Sequence, residues 1–273
     1  MNSLKIIASD LDGTLLNSQL QLSEANCHAL RALKANGVHV VLCTGRPFNG
    51  IKHLIKYIGL DDMDYTVSYN GSLVQSCDGS KVLHQAKISN IDFLALSHYF
   101  NQFGLGLHAM SMNRMYTYNH QIHPLTVRES YLGNLPITVL VDTQVITDSI
   151  IKIMAVGEPK LLDKAIEGFY SQFSDKFSLN KSEDFYLEIM QKGDNKASAL
   201  SLLLKELGIS KENLIAFGNN LNDLEMIKFA RIGVAVGNAV PALKEASDYI
   251  TETNDRDGVA LFLKSIYKYQ NQL

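Results

Sequence analysis

Nowhere in the 273 residues is there an apolar run long enough to span a bilayer, and nowhere a run of five or more basic residues. The first absence speaks against a membrane protein. The second, with 25 basic against 28 acidic residues and a net charge of -3, speaks against a nucleic-acid binder. Cysteine is scarce: Cys27, Cys43 and Cys77 are an odd number without CxxC spacing. That excludes a disulfide framework and a thiolate zinc site, and fits reduced thiols in the cytoplasm. The eight histidines form no HxxxH or HxH pair. His108, His120 and His123 are therefore expected in the surface or core of their region, not as metal ligands. Residues 4–8 form a short, mostly apolar segment that lacks the long apolar stretch and cleavage site of a signal peptide, so the expected location is the cytoplasm. No GxGxxG follows the first apolar segment, which excludes a dinucleotide-binding dehydrogenase. Low-complexity tracts are missing too. What is present is an ordinary globular composition, 46% hydrophobic and 19% charged, enough for a sizeable core.

Short apolar strands alternate with helices over the first 84 residues. Residues 4–9, 38–43 and 65–68 read as buried strands. A helix capped by Ser23 stops at Gly37, and another has Pro47 in its first turn and ends at Gly59. Asn70-Gly71 reads as a turn, and Asp78-Gly79 as a hairpin tip. The pattern changes over 85–190, where helix-strand-strand groups predict an open sheet with helices on one face. Residues 120–149, with Pro124 and Pro136, are the least legible part. Alternation returns from 191. The chain is thus expected to be one α/β domain, 1–84 with 191–273, interrupted by an α+β insert at 85–190. The core should be a doubly wound parallel sheet with both faces covered.

The sharpest chemical signal is Asp10-Leu11-Asp12-Gly13-Thr14, directly after the first strand. In such sheets, sites form outside the carboxyl ends of strands. Residues two apart on an extended chain point the same way, so Asp10 and Asp12 can face one crevice while Gly13 turns the chain. Two crowded carboxylates call for a neutralising hard cation, and magnesium prefers such oxygen ligands.

This pentapeptide resembles the first motif of the haloacid dehalogenase-like hydrolases. The other motifs follow in order. Strand 38–43 running into Thr44-Gly45-Arg46-Pro47 resembles the second, and Gly193-Asp194-Asn195-Lys196 the third. Gly218-Asn219-Asn220-Leu221-Asn222-Asp223 resembles the fourth. Gly237-Asn238-Ala239 and Asp257-Gly258 look like later stretches of the Cof-type subfamily. The resemblance covers the whole chain and implies a magnesium-dependent phosphatase acting on sugar phosphates or phosphorylated cofactors. It assigns Asp10 as the nucleophile that becomes an aspartyl-phosphate, and Asp12 as the acid and base. The Leu11 and Gly45 amides, Thr44, Lys196 and Asn222 would hold phosphate. Asp10, Asp12, Asn219 and Asp223 would hold the metal, and Arg46 would lie on the substrate side. The insert would be a cap that closes over the site and selects the substrate. Tyr116, Tyr118, Arg114 and His120 are candidates within it.

Lys196 is preferred over Lys192 because it opens a helix. A cation is mildly unfavourable there unless an anion lies nearby. One residue departs from the family pattern: Asn219 stands where Asp is usual. It keeps an oxygen acceptor but loses a charge, so weaker metal binding is expected. Two other readings share these residues, a phosphomutase and a degenerate phosphate-binding protein. The expected partner is a small phosphorylated molecule, not nucleic acid or membrane. The oligomeric state, monomer or dimer, is left open.

Overall fold

The computed structural model describes residues 4–141 and 144–270. In chain order the first elements are β1 (Ile6–Asp10), α1 (Glu24–Ala35), β2 (His39–Cys43), α2 (Phe48–Ile58), β3 (Tyr65–Ser68), β4 (Leu73–Ser76) and β5 (Val82–Gln85). Then come α3 (Asn90–Asn101), β6 (Gly106–Met110), β7 (Met115–Thr117), α4 (Pro124–Gly133), β8 (Ile137–Val139), β9 (Lys152–Val156), α5 (Pro159–Phe173), β10 (Phe177–Glu183) and β11 (Tyr186–Gln191). The last are α6 (Lys196–Leu207), β12 (Leu214–Gly218), α7 (Leu224–Phe229), β13 (Ile232–Ala235), α8 (Pro241–Ala246), β14 (Tyr249–Ile250) and α9 (Gly258–Gln270).

The chain divides into two compact units. One comprises 1–45, 52–84 and 195–273; the other comprises 46–51 and 85–194. This differs from the division read from the sequence in two places. The second junction falls at 194/195, because β11 extends to Gln191 as part of the insert's sheet. Residues 46–51 group with the insert, a tertiary choice that no local pattern announces.

Among the described residues the first unit has an eight-stranded sheet in the order β14-β13-β12-β1-β2-β3-β4-β5. Pairing is parallel from β14 to β3, and β4 pairs antiparallel with β3. The doubly wound core is thus observed. β1 is buried along its whole length, as are β12 and most of β2, which explains their unbroken apolar runs. The strand order reverses direction on either side of β1, between β2 and β12. That is where a doubly wound sheet opens a crevice at its carboxyl edge. Local signals work as expected in the helices of this unit. Ser23 accepts from the Asn26 amide, and Gly208 ends α6 in the left-handed region, where a side chain would be strained.

The insert is a six-stranded sheet in the order β10-β11-β9-β6-β7-β8. α3 and α5 bury Phe93, Leu96, Phe100 and Phe169 against Leu107, Ile153 and Ile189 of its strands. Each such buried side chain contributes about 1.5–3 kcal/mol. The stretch that was hardest to read holds α4, with Pro124 in its first turn, and β8, which runs parallel to β7. Residues 142 and 143 of that stretch lie outside the described residues. The β6 residue facing α4 is His108, fully buried, with Nδ1 3.1 Å from Thr126 Oγ1. A buried Lys152–Glu188 pair at 3.0 Å joins β9 to β11. No helix among the described residues is long and apolar enough to cross a membrane.

Candidate active site

Asp10 is the last residue of β1, and Gly218 and Asn219 follow from the end of β12, its parallel neighbour. Thr44 and Gly45 leave β2 on the other side. The strand order therefore brings three sequence-distant segments to one edge of the core sheet. Immediately beyond Asp10 the chain folds back on itself. The Leu11 carbonyl accepts from the amides of Thr14, Leu15 and Leu16, at 3.2, 3.1 and 2.9 Å. Gly13 sits at φ +76°, and a Cβ there would meet the Asn219 side chain at 2.5 Å. The motif glycine is thus required twice, by backbone angle and by close approach.

Lys196 opens α6 and is 1% exposed. Its Nζ donates to Asp10 Oδ1 at 2.7 Å and to Asp223 Oδ1 at 2.6 Å. Two buried carboxylates share a single ammonium. Burial works against the charge on Lys196, but Asp10 and Asp223 overcome it and hold the ammonium well above the ordinary lysine range. Burial, and then the Asp223 charge, push the Asp10 carboxyl up to about 7, against the opposing pull of Lys196. With both carboxylates ionised, the cluster carries one negative charge more than Lys196 neutralises, before Asp12 is counted. Lys192, the competing motif lysine, is exposed.

Asp223 lies beside Asp10 in this cluster. It is fully buried, and Oδ1 is taken by Lys196. Oδ2 accepts from the Asn219 and Asn220 amides at 2.9 and 3.2 Å. It therefore orients Lys196 and fixes the turn after β12. Asn219 Oδ1 accepts from the Thr14 hydroxyl at 3.1 Å. Among the described residues, no group of three or more His, Cys, Asp or Glu side chains is placed to hold a metal. Asp10 and Asn219 stand at the carboxyl ends of the paired strands β1 and β12, with Asp12 in the loop that follows β1. Carboxylate and amide oxygens in a site of negative charge are the donors a hard cation prefers. Asn222 donates to Asn70 Oδ1 at 3.1 Å. Arg46 belongs to the segment that groups with the insert.

Several asparagines of the site have no role assigned from the sequence. Asn238 Nδ2 donates to the Gly13 carbonyl at 2.8 Å, and its Oδ1 accepts from the Asn254 amide at 3.0 Å. Asn254 and Asn26 donate to the carbonyls of Leu16 and Leu15, both at 3.0 Å. The catalytic-looking loop is thus held by amides from three distant elements. Of these, Asn238 alone carried a sequence signal, as part of the Gly237-Asn238-Ala239 stretch that resembles the Cof-type subfamily. Of the insert candidates, Tyr116 donates to Asp148 at 2.7 Å and Arg114 to Thr138 at 3.0 Å. Tyr118 and His120 line an open cavity of about 550 Å³ within the insert, with His98 and His123.

The haloacid dehalogenase-like hydrolase profile matches residues 7–263. A protein of Streptococcus pyogenes serotype M6 is 36% identical over 259 residues, covering 94% of this chain and 96% of its own. The 5-amino-6-(5-phospho-D-ribitylamino)uracil phosphatase YcsE of Bacillus subtilis is 31% identical over 259 residues, covering 94% and 93%. The crystal structure of a haloacid dehalogenase-like hydrolase from Bacteroides thetaiotaomicron superposes with a TM-score of 0.88 at 32% identity, covering 97% of this chain and all of that one. The chain therefore belongs to the haloacid dehalogenase-like hydrolases and is a hydrolase of the phosphatase type.

Proposed function

We propose that this chain hydrolyses small phosphorylated metabolites, sugar phosphates or phosphorylated cofactors, by magnesium-dependent transfer of the phosphoryl group to Asp10. The observation that supports this most is the buried Asp10–Lys196–Asp223 triad at the switch point of the sheet, at 2.7 and 2.6 Å. A carboxylate held there by one ammonium, with charge in excess, is suited to attack at phosphorus.

In this reading an Asp10 oxygen bonds to phosphorus as the bond to the leaving alkoxide breaks. Asp12 gives its proton to the departing oxygen. It then takes a proton from the water that cleaves the aspartyl-phosphate, releasing orthophosphate and restoring both carboxyls. The Leu11 and Gly45 amides, the Thr44 hydroxyl and Asn222 hold the phosphoryl oxygens, and Lys196 offsets the charge that builds around them. Asp10, the Asp12 carbonyl, Asn219 and Asp223 would hold magnesium, which would supply Lewis-acid charge to the phosphoryl group. Arg46 is assigned to the substrate side. The Bacillus subtilis relative is named for a phosphorylated ribityl compound, which falls within the proposed substrate class.

Asn219 favours a second reading, a weakly active or degenerate phosphate-binding protein. A panel of aryl and sugar phosphates, assayed with magnesium and with chelator beside Asp10→Asn, decides between them. Magnesium-dependent phosphate release that disappears in the variant is the expected outcome. Phosphate binding without turnover, up to millimolar magnesium, would establish the second reading. Transfer between sugar positions with little free phosphate would identify a mutase.

A further inference from the structure

Between β3 and β4 the backbone takes an uncommon path. Tyr69, Asn70 and Gly71 lie at φ 51°, 54° and 108°, three positive values in a row. Two of the three carry side chains, and Tyr69 is bulky and fully buried. Backbone of this kind persists only where the surroundings enforce it, and such sites cluster where function needs them. A plain hairpin turn would ask for nothing more than an Asn-Gly pair at the surface. Here Asn70 is 3% exposed and is engaged on several sides.

Its amide N–H donates to the Thr44 carbonyl at 2.9 Å. Its Oδ1 accepts from Asn222 Nδ2 at 3.1 Å. Its side-chain amide covers Gly45 so closely that a Cβ on that glycine would lie 3.1 Å from Asn70 Nδ2. The next residue, Gly71, lies against the N-cap of the helix that begins with Lys196. A Cβ there would meet the Asn195 carbonyl at 2.2 Å. One turn thus touches the loop after β2, the loop after β12 and the start of α6.

We propose that Asn70 is a positioning residue that holds Asn222 and the Thr44-Gly45 loop at the separation needed to grip a phosphoryl group. This rests on the phosphatase reading above. Asparagine suits the place because it tolerates the left-handed region and still presents both an acceptor and donors. Glycine would keep the backbone and lose the grip. Aspartate would keep the backbone and the acceptor for Asn222.

The test uses the full-length protein, an aryl phosphate with magnesium, and orthophosphate as competitive inhibitor. Asn70→Gly is expected to raise KM and the orthophosphate Ki about tenfold, the scale of one lost net hydrogen bond, with kcat changed less than about threefold. Asn222→Ala is expected to do the same alone, and to add less than about twofold in the Asn70→Gly background, because the two act through one contact. In Asn70→Asp the acceptor remains, so Asn222→Ala should again cost close to its full amount. This second background also serves if Asn70→Gly does not fold. A merely structural role would lower stability and leave this pattern of coupling absent. An unchanged Ki in Asn70→Gly, or fully additive effects with Asn222→Ala, would overturn the proposal and leave the phosphatase reading standing. A wild-type protein that releases no phosphate, or an active Asp10→Asn, would overturn both.

Discussion

Replacing Lys196 with methionine would remove the one cation between Asp10 and Asp223 while roughly keeping the volume of a side chain that is 1% exposed. Two buried carboxylates, previously 2.7 and 2.6 Å from the ammonium, would face each other without compensation. Breaking a buried ion pair by deleting one partner costs about 3–5 kcal/mol. The cost should be largest near neutral pH and smaller at pH 5. Burial and the Asp223 charge already push the Asp10 carboxyl up, and without Lys196 it takes a proton still more readily. Loss of the positive charge beside the transferring phosphoryl group should also lower kcat by roughly 10²–10³-fold. The chain contains no tryptophan, so unfolding in urea is best followed by circular dichroism, beside phosphate release. Adding Asp223→Asn to Lys196→Met should restore about 1–3 kcal/mol by removing the second charge, because Asn still offers an acceptor to the 219 and 220 amides. Turnover should not return. A Lys196→Met protein within about 0.5 kcal/mol of wild type at pH 7.5, below the range of ordinary core changes, would refute the argument that this triad is a buried, charge-coupled unit.

Asn219→Asp should tighten magnesium binding roughly tenfold, measured by titration calorimetry, because charge count sets the affinity of an oxygen site; unchanged affinity would show that this side chain is not a ligand. Asn238→Ala, which removes the donor to the Gly13 carbonyl, should cost about 1 kcal/mol in urea unfolding and lower kcat more than it raises KM. In the insert, burial and then the Lys152 charge push His108 down to about 3, from 6.5 in an unfolded chain. Between those values the unfolded chain binds a proton that the folded one does not, so stability is present above pH 6.5 and lost as pH falls. At pH 5 this residue should have removed about 2 kcal/mol relative to pH 7, and His108→Gln should flatten that slope in denaturant titrations.

Much of the core and its chemistry was legible because the signals are local. A buried parallel strand must be apolar throughout, so β1, β2 and β12 announce themselves, and Asp10, Thr44 and Asn219 follow at their carboxyl ends. Ser23, Pro47 and Gly208 mark helix ends through capping and backbone preference, which depend only on neighbouring residues. Lys196 is preferred over Lys192 because it opens a helix, and Asp10 and Asp223 are the anions found beside it.

Other features depend on residues far apart in the chain, and no window of sequence contains them. Asp223 reads from the sequence as one more acid of a motif, and only the fold shows Lys196 on one of its oxygens and two backbone amides on the other. Asn70 reads as half of a turn. Only packing shows that it also meets Thr44 from β2 and Asn222 from beyond β12. α4 and β8 gave weak periodicity because one is short and the other has three residues, and their places are set by β6 and β7 beside them. The sequence by itself determined which strands are buried and which acids stand at their ends, since burial and backbone angle constrain each residue singly. The tertiary structure alone decided which of those acids share a cation and which amides hold the loop, since a hydrogen bond or ion pair exists only once two distant residues have been brought within about 3 Å.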